Sequence, residues 1–289
     1  MIEQKLRAQL GADAQRLAAV ALAEDGTSDI TSLVSIVAGT HTTAALEFRT
    51  AGVLAGTTYA DAVAQGCGLE TVTWYQPPGT VIAAGTTAGL IRGDLRRVLR
   101  AERPLLNLLQ RAVGIATATR AYVERVSGTA ARILHTRKTA PGLRLLDVSA
   151  VLAGGGFPHR LDLTQVVMIK DNHWRALEQS GRTVGQALAE ARAQGIGDCY
   201  VEVETLSQVE SALTAGATRL LIDNQSPETV RTWGDYARGR APRIEIEATG
   251  GITLENVRAY AAAGADYISI GALTHSVRAA DVSLEVRRE

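Results

Sequence analysis

The sequence predicts an α/β protein that combines an N-terminal α+β unit with a parallel βα-barrel. Up to about residue 103, helical patterns are set among short strand patterns that end in Pro or Gly, which is typical of an antiparallel sheet. From residue 104 onwards, strands and helices alternate at a spacing of roughly 20–25 residues, which favours parallel strands with right-handed crossovers. Polar residues stand at the carboxyl ends of the predicted strands along this series, as they do at the active-site rim of a barrel.

Composition narrows the class of function. The chain has 289 residues, a formal net charge of 0 and 4% aromatic residues. Such a chain does not favour broad nucleic-acid or membrane-surface binding, although it leaves room for a local basic pocket. The two cysteines, Cys67 and Cys199, provide neither a disulfide framework nor metal-ligand spacing. With no leader-like segment and no apolar run long enough to span a bilayer, the sequence predicts a cytoplasmic protein.

The N-terminal unit is predicted to begin with a helix over residues 3–23, because Leu6, Leu10 and Leu17 follow helical spacing. The polar stretch from Glu24 to Ser32 is expected to cap the next element. The remaining elements expected here are a strand pattern over 42–55, a helix over 58–66 and short strands within 69–92.

The barrel unit is predicted to begin with a long helix over residues 104–126, with Pro104 in its first turn. Short apolar runs rich in β-branched residues then mark the strands. The expected strands are 131–134, 166–170, 200–204, 219–223, 244–248 and 267–271.

Helix boundaries in this unit have their own signals. Ser207 with Glu210 forms the pattern of a capping box, and Ser226-Pro227 is typical of a helix start. Gly216 and Gly264 are predicted to end two helices in the left-handed conformation.

One segment, from His135 to Lys170, concentrates positive charge, and only two acidic residues interrupt it. Arg binds carboxylate or phosphate through two hydrogen bonds, whereas Lys acts as a point charge. The segment therefore predicts an anion-binding pocket. Its candidate ligands are Arg137, Lys138, His159, Arg160 and Lys170.

Two acids and two glycine-bearing loops complete the predicted rim. Glu202 and Asp223 end neighbouring strands, where they could hold Mg²⁺, face a developing cation or bind a ribose hydroxyl. The loops at Ala248–Gly251 and Ser269–Ala272 come late in the series, where barrel enzymes often bind phosphate. Together these features suggest a phosphorylated sugar and an anionic partner.

Other polar residues have plain structural interpretations. Glu204 and Glu247 are expected to be structural, and Gly154–Gly156 could be only a flexible turn. His275 is as compatible with capping a helix as with catalysis.

Seven motifs carry a more specific signal. They are TRKTAPGLR (136–144), GGGFPHRLDL (154–163), IKDNH (169–173), VEVE (201–204), LIDN (221–224), EATGGIT (247–253) and DYISIGALTHS (266–276). With EDGTSDITS, AGVLAG and ERPLLNLLQRAVGIA (102–116), the sequence resembles the quinolinate phosphoribosyltransferase family over nearly its whole length, in order.

This resemblance implies a particular version of the α/β fold. An N-terminal α/β-sandwich domain is expected over residues 1–103, joined by the C-terminal segment 274–289. An incomplete, roughly seven-stranded α/β barrel, a variant of the full eight-stranded design, is expected over residues 104–273. The resemblance also implies a homodimer, with room for a higher oligomer, whose active site is completed by the neighbouring subunit.

The resemblance further implies roles for individual residues. The pocket for the two carboxylates of quinolinate would comprise Arg137, His159, Arg160 and Lys170, with Arg103 supplied by the partner subunit. The phosphoribosyl pyrophosphate (PRPP) side would comprise the catalytic residues Lys138, Glu202 and Asp223. The last two would also hold Mg²⁺, directly or through water or PRPP. The cradle for the 5′-phosphate would comprise Thr249, Gly250, Gly251, Ser269 and Gly271.

The reaction implied is that of quinolinate with PRPP, which gives nicotinate mononucleotide, pyrophosphate and CO₂ in NAD biosynthesis. The chain departs from the common family pattern at Pro158, where Asn is usual, and at His135 and Pro104. The version with Pro158 also resembles a related branch, the ModD-type proteins. Two alternatives therefore stay open: a paralogue that phosphoribosylates another aromatic acid, and a non-catalytic protein that binds a phosphorylated metabolite on the same fold.

Overall fold

The structure is a computed structural model that describes residues 2–287, with side chains described from residue 4. Met1, Arg288 and Glu289, at the ends of the predicted first domain, lie outside the described residues. Contacts divide the chain into two compact units. The first unit contains the described residues up to 120 together with 138–158 and 272–287, and the second contains 121–137 and 159–271. Because compact units need not follow family domains, the predicted boundary between residues 103 and 104 stays a prediction.

The first unit contains an antiparallel sheet. Its strands are β1 (His41–Phe48), β3 (Thr73–Trp74), β5 (Thr86–Asp94) and β12 (Val282–Val286), in the order β12-β1-β5-β3. A separate two-stranded pair is formed by β2 (Gly52–Val53) and β4 (Val81–Ile82). The helices are α1 (Ile2–Glu24), α2 (Ile30–Ser35), α3 (Thr57–Gly66), α5 (Arg144–Ala153), α11 (Ala272–His275) and most of α4 (Leu95–Arg125). The last strand of the chain thus pairs with the first, β12 with β1.

The predicted cap before α2 is confirmed. Asp29 in the polar stretch accepts hydrogen bonds from the backbone N–H groups of Thr31 and Ser32, at 3.0 and 3.1 Å. These bonds satisfy two donors of the first helical turn that otherwise have no partner.

The predicted start of the long helix is wrong. α4 begins at Leu95, not at Pro104, and Pro104 lies inside it. Asp94 accepts a hydrogen bond from the backbone of Arg97 at 3.2 Å, which supplies the true start signal. The buried face of the helix, with Val98 and Leu105, outweighs the cost of an internal proline, about 3 kcal/mol.

The triple glycine 154–156 is a close-packing segment and not merely a flexible turn. A Cβ atom at Gly154 would lie 2.5 Å from the carbonyl oxygen of Ala116 and 2.6 Å from the Cβ of Thr119. Arg120 donates a hydrogen bond to the Gly154 carbonyl at 3.0 Å. Only glycine allows the chain to approach α4 this closely.

The second unit is an incomplete parallel barrel. Its strands are β6 (Arg132–Leu134), β7 (Val167–Ile169), β8 (Cys199–Val203), β9 (Arg219–Asp223), β10 (Glu245–Thr249) and β11 (Tyr267–Ser269). Its helices are α6 (Asp171–Gln179), α7 (Val184–Ala193), α8 (Leu206–Thr214), α9 (Pro227–Arg240) and α10 (Val257–Ala262). The strand order is β6-β11-β10-β9-β8-β7, so the first strand pairs with the last while β6 and β7 form the two edges. The α/β class is confirmed. Within the described residues this sheet has six strands, where the resemblance implied roughly seven.

The two faces of the parallel sheet differ in polarity. Val201, Leu220 and Ile246 on one face are fully buried, as expected for strands covered by helices. The opposite face carries the polar side chains, because successive residues of a strand point to opposite sides. Those side chains are Tyr200, Glu202, Arg219, Asp223, Glu245, Glu247, Thr249, Tyr267 and Ser269.

Most predicted helix boundaries in the barrel unit are confirmed. Ser226 caps α9 with Pro227 in the first turn, and Gly216 and Gly264 have φ values of 76° and 90°. The predicted capping box of α8 is wrong, because that helix begins at Leu206, one residue before Ser207. Its box is formed by Thr205 and Gln208, each of which accepts a hydrogen bond of 3.2 Å from the backbone of the other.

No helix within residues 2–287 combines the length and apolar character needed to cross a membrane.

Candidate active site

Three of the predicted site residues meet at the carboxyl ends of β7, β8 and β9. Lys170 directly follows β7, and its ammonium group is ion-paired with the largely buried carboxylate of Glu202. Asp223 ends β9. Burial raises the pKa of Asp223, the charge of Glu202 raises it further, and Lys170 opposes both effects. The two carboxylates and the ammonium group therefore act on one another electrostatically.

The start of α6 holds Lys170 in place. The backbone N–H of Lys170 donates to Nδ1 of His173 at 3.0 Å. The indole N–H of Trp174 donates to the backbone carbonyl of Glu202 at 2.8 Å. The IKDNH segment thus turns from strand into helix with its first turn tied to the neighbouring strand.

A pair of guanidinium groups forms the second part of the rim. Arg160 is buried, and both burial and the charge of Arg137 lower its pKa, while Glu202 and Glu247 oppose this. The Nε atom of Arg137 is buried without a hydrogen-bond partner. Two partly desolvated cations and an unsatisfied donor favour an anionic ligand, which would relieve the repulsion and accept the hydrogen bond.

A buried ionic network lies on the same face of the sheet. Glu247 is 1% exposed, and its carboxylate lies 3.0 Å from the Arg219 guanidinium and 3.3 Å from Nε2 of His159. The hydroxyl of Ser269 donates to it at 2.5 Å. Burial alone would raise the pKa of Glu247, but the hydrogen bonds of His159 and Ser269 and the charge of Arg219 together lower it below its usual value. Glu247 is therefore a carboxylate throughout the range of neutral pH.

Both ring nitrogens of His159 are used inside the protein. Nδ1 accepts a hydrogen bond from the backbone N–H of Arg160 at 2.7 Å, and Nε2 faces Glu247. The ring meets that of Tyr200 edge to face, at 5.9 Å between centroids.

Aromatic rings and a second acid hold Arg219. Its guanidinium lies 4.3 Å from the ring centroid of Tyr200 and 3.8 Å from that of Tyr267. It also pairs with Glu245 at 2.7 Å. Cations placed over aromatic faces are stabilised by the ring quadrupole, so this arrangement fixes the side chain.

The donor set fits a magnesium ion shared with a substrate. Within residues 2–287, no group of three or more His, Cys, Asp or Glu side chains could hold a metal ion by itself. Glu202 and Asp223 nevertheless bring two carboxylates close enough to interact, with Lys170 offsetting only part of their charge. Mg²⁺ commonly takes one or two carboxylates and completes its shell with water and substrate phosphates.

The turn after β10 is closely fitted to the turn after β9. Gly250 and Gly251 have φ values of 81° and 61°, and Asn224 has a φ of 52°. A Cβ atom at Gly250 would lie 2.2 Å from Oδ1 of Asn224, so no other residue fits. The backbone of Asn224 donates to the carbonyl of Thr249 at 2.9 Å, which joins the two turns.

Comparison with known proteins then decides the family. The C-terminal domain of quinolinate phosphoribosyl transferase matches residues 115–285, and the N-terminal domain matches residues 29–113. The chain belongs to the quinolinate phosphoribosyltransferase family.

Relatives in distant organisms support this assignment. The nicotinate-nucleotide pyrophosphorylase [carboxylating] of Mycobacterium leprae is 38% identical over 89% of this chain and 91% of its own length. The human protein of the same name is 37% identical over 84% of this chain and 82% of its own length. The structure of the nicotinate-nucleotide pyrophosphorylase from Francisella tularensis matches with a TM-score of 0.88 at 33% identity. That match covers 96% of this chain and 97% of the other.

Two residues with family-implied roles belong to the other compact unit. Lys138 is exposed, and its carbonyl accepts a hydrogen bond from Thr274 at 2.8 Å. Arg103 lies on α4 with a side chain that is 59% exposed, 3.8 Å from Glu102. The remaining family-implied residues all belong to the barrel unit.

The buried network contains residues that the sequence did not mark as candidates. Glu247 was expected to be structural and Arg219 was not singled out. In the structure Glu247 lies 3.3 Å from His159, and Arg219 lies 3.0 Å from Glu247. The signal was present in IEIEAT, where Glu245, Glu247 and Thr249 alternate with apolar residues in a strand buried by helices. Charged residues on the inner face of a parallel sheet are unusual enough to indicate function.

Proposed function

We propose that this protein transfers the phosphoribosyl group of PRPP to quinolinate with decarboxylation, forming nicotinate mononucleotide, pyrophosphate and CO₂. The observation that carries the proposal is the coexistence, on one barrel rim, of a guanidinium pair and a Lys-Glu-Asp cluster in a member of this family. Cations suit the two carboxylates of a pyridine diacid, and the acids suit the metal-bound phosphates and the ribosyl group.

Arg137, Arg160 and Lys170 are the proposed charges for quinolinate, with His159 lining the pocket behind Arg160. Support comes from the unsatisfied Nε of Arg137 and from the mutual repulsion of the two guanidinium groups. A planar dicarboxylate offers each guanidinium a pair of oxygen acceptors.

Glu202 and Asp223 are proposed to face the PRPP side, with Lys138 as a further cation. They would hold Mg²⁺ together with substrate oxygens, and the ion would neutralise charge on the departing pyrophosphate. The 5′-phosphate cradle is proposed at Thr249, Gly250, Gly251, Ser269 and Gly271. The successive left-handed glycines after β10 support it, because they expose backbone in a tight turn.

The chemistry follows from charge. As pyrophosphate leaves, the anomeric carbon becomes cationic, and the carboxylates of Glu202 and Asp223 stabilise it electrostatically. The pyridine nitrogen attacks this carbon and becomes positively charged. The adjacent carboxylate then leaves as CO₂, and the electron pair of the broken bond stays on the ring carbon, where the neighbouring positive nitrogen stabilises it. A proton from water then takes the place of the carboxylate. Holding two anionic substrates in reacting geometry is the main task of the cations.

A homodimer with Arg103 contributed in trans, and a cytoplasmic location, belong to the same proposal. The exposed position of Arg103 on α4 is compatible with a role at a neighbouring subunit. Both substrates carry several charges and would be found in an aqueous compartment.

A product assay tests the proposed reaction. Purified protein with quinolinate, PRPP and Mg²⁺ should release CO₂ and form nicotinate mononucleotide in equal amounts. A panel that includes nicotinate and other pyridine acids should give no product. Turnover of another acid but not of quinolinate would overturn the substrate assignment and favour the paralogue that Pro158 suggests. Tight binding of PRPP without turnover of any acid would favour a non-catalytic binding protein.

A further inference from the structure

The hydrogen bonds around His159 select one form of its ring. A ring nitrogen that accepts a hydrogen bond cannot itself carry a proton, and Nδ1 accepts from the backbone N–H of Arg160 at 2.7 Å. Nε2 faces the carboxylate of Glu247 at 3.3 Å, which can only accept. The geometry is therefore that of a neutral ring with its proton on Nε2.

The charges around His159 favour the same form. Arg219 lies 3.0 Å from Glu247, so that carboxylate is already paired with a cation other than His159. Glu245, the second partner of Arg219, is 39% exposed and is screened by solvent. On the other side, Arg160 is close enough to Arg137 for their charges to repel. A proton on Nδ1 would add a third cation next to this pair.

The remaining groups near His159 do not change this balance. Tyr200 presents its ring to His159 edge to face and stays neutral, because burial raises its pKa to about 12. Glu202 acts on Arg160 and is ion-paired with Lys170.

We propose that Arg219 and Glu247 are positioning residues that keep His159 in its Nε2–H form, so that Nδ1 anchors the backbone of Arg160 and aims its guanidinium at the substrate carboxylate. The chain of contacts runs from Arg219 through Glu247 and His159 to Arg160. The role of Arg160 rests on the proposed function. The state of the His159 ring does not, and it is measured separately.

Nitrogen-15 NMR of the imidazole rings tests the first half of the proposal. The chain has five histidines, so His159→Gln assigns the signal by its loss. In the full-length wild-type protein at neutral pH, the ring should be unprotonated at Nδ1 and protonated at Nε2. In Arg219→Met, Glu247 loses its guanidinium partner and should draw a second proton onto His159. A doubly protonated ring in the wild type, or an unchanged ring in folded Arg219→Met, overturns the proposal.

If Arg219→Met does not fold, the NMR measurement of the His159 ring is made on Arg219→Lys instead. Lysine retains the charge beside Glu247 but not the planar contact with Tyr200 and Tyr267. It should preserve the Nε2–H form and restore much of the quinolinate affinity. A doubly protonated ring in folded Arg219→Lys would contradict the charge argument.

Steady-state kinetics test the second half. Arg219→Met should raise the KM for quinolinate about tenfold through Arg160. It should raise the KM for PRPP less, because Glu247 reaches the proposed phosphate cradle only through the hydroxyl of Ser269. The matched control is Arg238→Met, which removes an Arg–carboxylate pair with Asp266 at 2.8 Å on the outer helix α9. The control should change neither KM. Equal loss of both affinities in Arg219→Met would indicate a merely structural role and overturn the proposal. Wild-type protein that never uses quinolinate would instead defeat the proposed function while the ring measurement still stands.

Discussion

Asp223 ends β9 with a carboxylate whose ionised form the fold disfavours. Burial and the neighbouring charge of Glu202 both raise its pKa above the ordinary value of 3.8. A group whose pKa is raised on folding stabilises the folded state at low pH and loses that contribution as pH rises through the folded-state pKa. At neutral pH the ionised Asp223 therefore lowers the stability of the free protein. A binding site can tolerate this, because bound Mg²⁺ would stabilise the ionised carboxylate.

Asp223→Asn is expected to stabilise the protein without ligands while reducing turnover. At neutral pH the melting temperature should rise by about 2 °C, as expected for less than about 1 kcal/mol at a half-buried, partly screened site. The kcat should fall at least about a hundredfold. Thermal unfolding at neutral pH and at pH below about 4 measures the effect, and the gain should disappear at the lower pH. A lower melting temperature at neutral pH would contradict this view of the site.

Lys170 should matter for activity and little for stability. It is ion-paired with Glu202 but 40% exposed, so its removal leaves a carboxylate that water can partly solvate. Lys170→Ala is expected to lower kcat/KM for quinolinate at least about a hundredfold, or about 3 kcal/mol of transition-state stabilisation. The control Arg175→Ala removes an exposed cation on the same α6 helix, 3.9 Å from Asp171, and should be near normal. Near-normal turnover in Lys170→Ala would refute the pocket.

At the scale of elements, a buried ion pair joins α4 and α5. Arg111 donates two hydrogen bonds of 2.8 Å to Asp147, which is fully buried, and a third to the carbonyl of Thr274 at 3.1 Å. Burial raises the pKa of Asp147, and Arg111 opposes that effect. The pair therefore stabilises the packing only while both partners are present.

Arg111→Met is expected to lower the free energy of unfolding by about 3–5 kcal/mol, because it leaves Asp147 buried without its cation. Adding Asp147→Leu should recover most of that loss, since an apolar pair of similar volume can replace a buried ion pair. Chemical denaturation of the two single variants and the double variant measures the coupling. Additive losses in the double variant would show that the two residues act independently.

The glycine segment after α5 gives a second test at this scale. In Gly154→Ala the new Cβ would lie 2.5 Å from the Ala116 carbonyl, and we expect a loss of about 1–3 kcal/mol. Gly197→Ala is the control, because no atom lies within 4 Å of a Cβ at that position. If both variants are equally stable by denaturant unfolding, the close approach to α4 is not a constraint.

At the scale of the whole molecule, the proposed shared site predicts complementation between inactive subunits. Arg103→Ala and Lys170→Ala should each be inactive alone. When equal amounts of the two variants exchange subunits at random, half of the dimers are heterodimers. Each heterodimer has one intact site of its two, so about a quarter of the wild-type activity should return. Native mass spectrometry verifies the exchange. No recovery in a mixture with proven heterodimers would show that Arg103 does not act in trans.

Much of the fold could be predicted from the sequence because its signals are local. The strand at 219–223 and the cap at Ser226 were both located from the sequence, since strand periodicity and turn chemistry act over a few residues. The start of α4 was missed, because the proline at position 104 is a local signal that packing of the helix overrides. The close packing of Gly154 was also missed, because its neighbours Ala116 and Thr119 lie far away in the sequence.

The sequence by itself determined the family and predicted the residues of the rim, because motifs such as IKDNH keep those residues in order along the chain. Only the tertiary structure decided which of them meet. Lys170 pairs with Glu202 across 32 residues, and His159, in the loop before β7, meets Glu247 on a strand far along the sequence. Such contacts depend on sheet order and register, which no local pattern encodes. The chain of contacts from Arg219 through Glu247 to His159 therefore became visible only in the folded barrel.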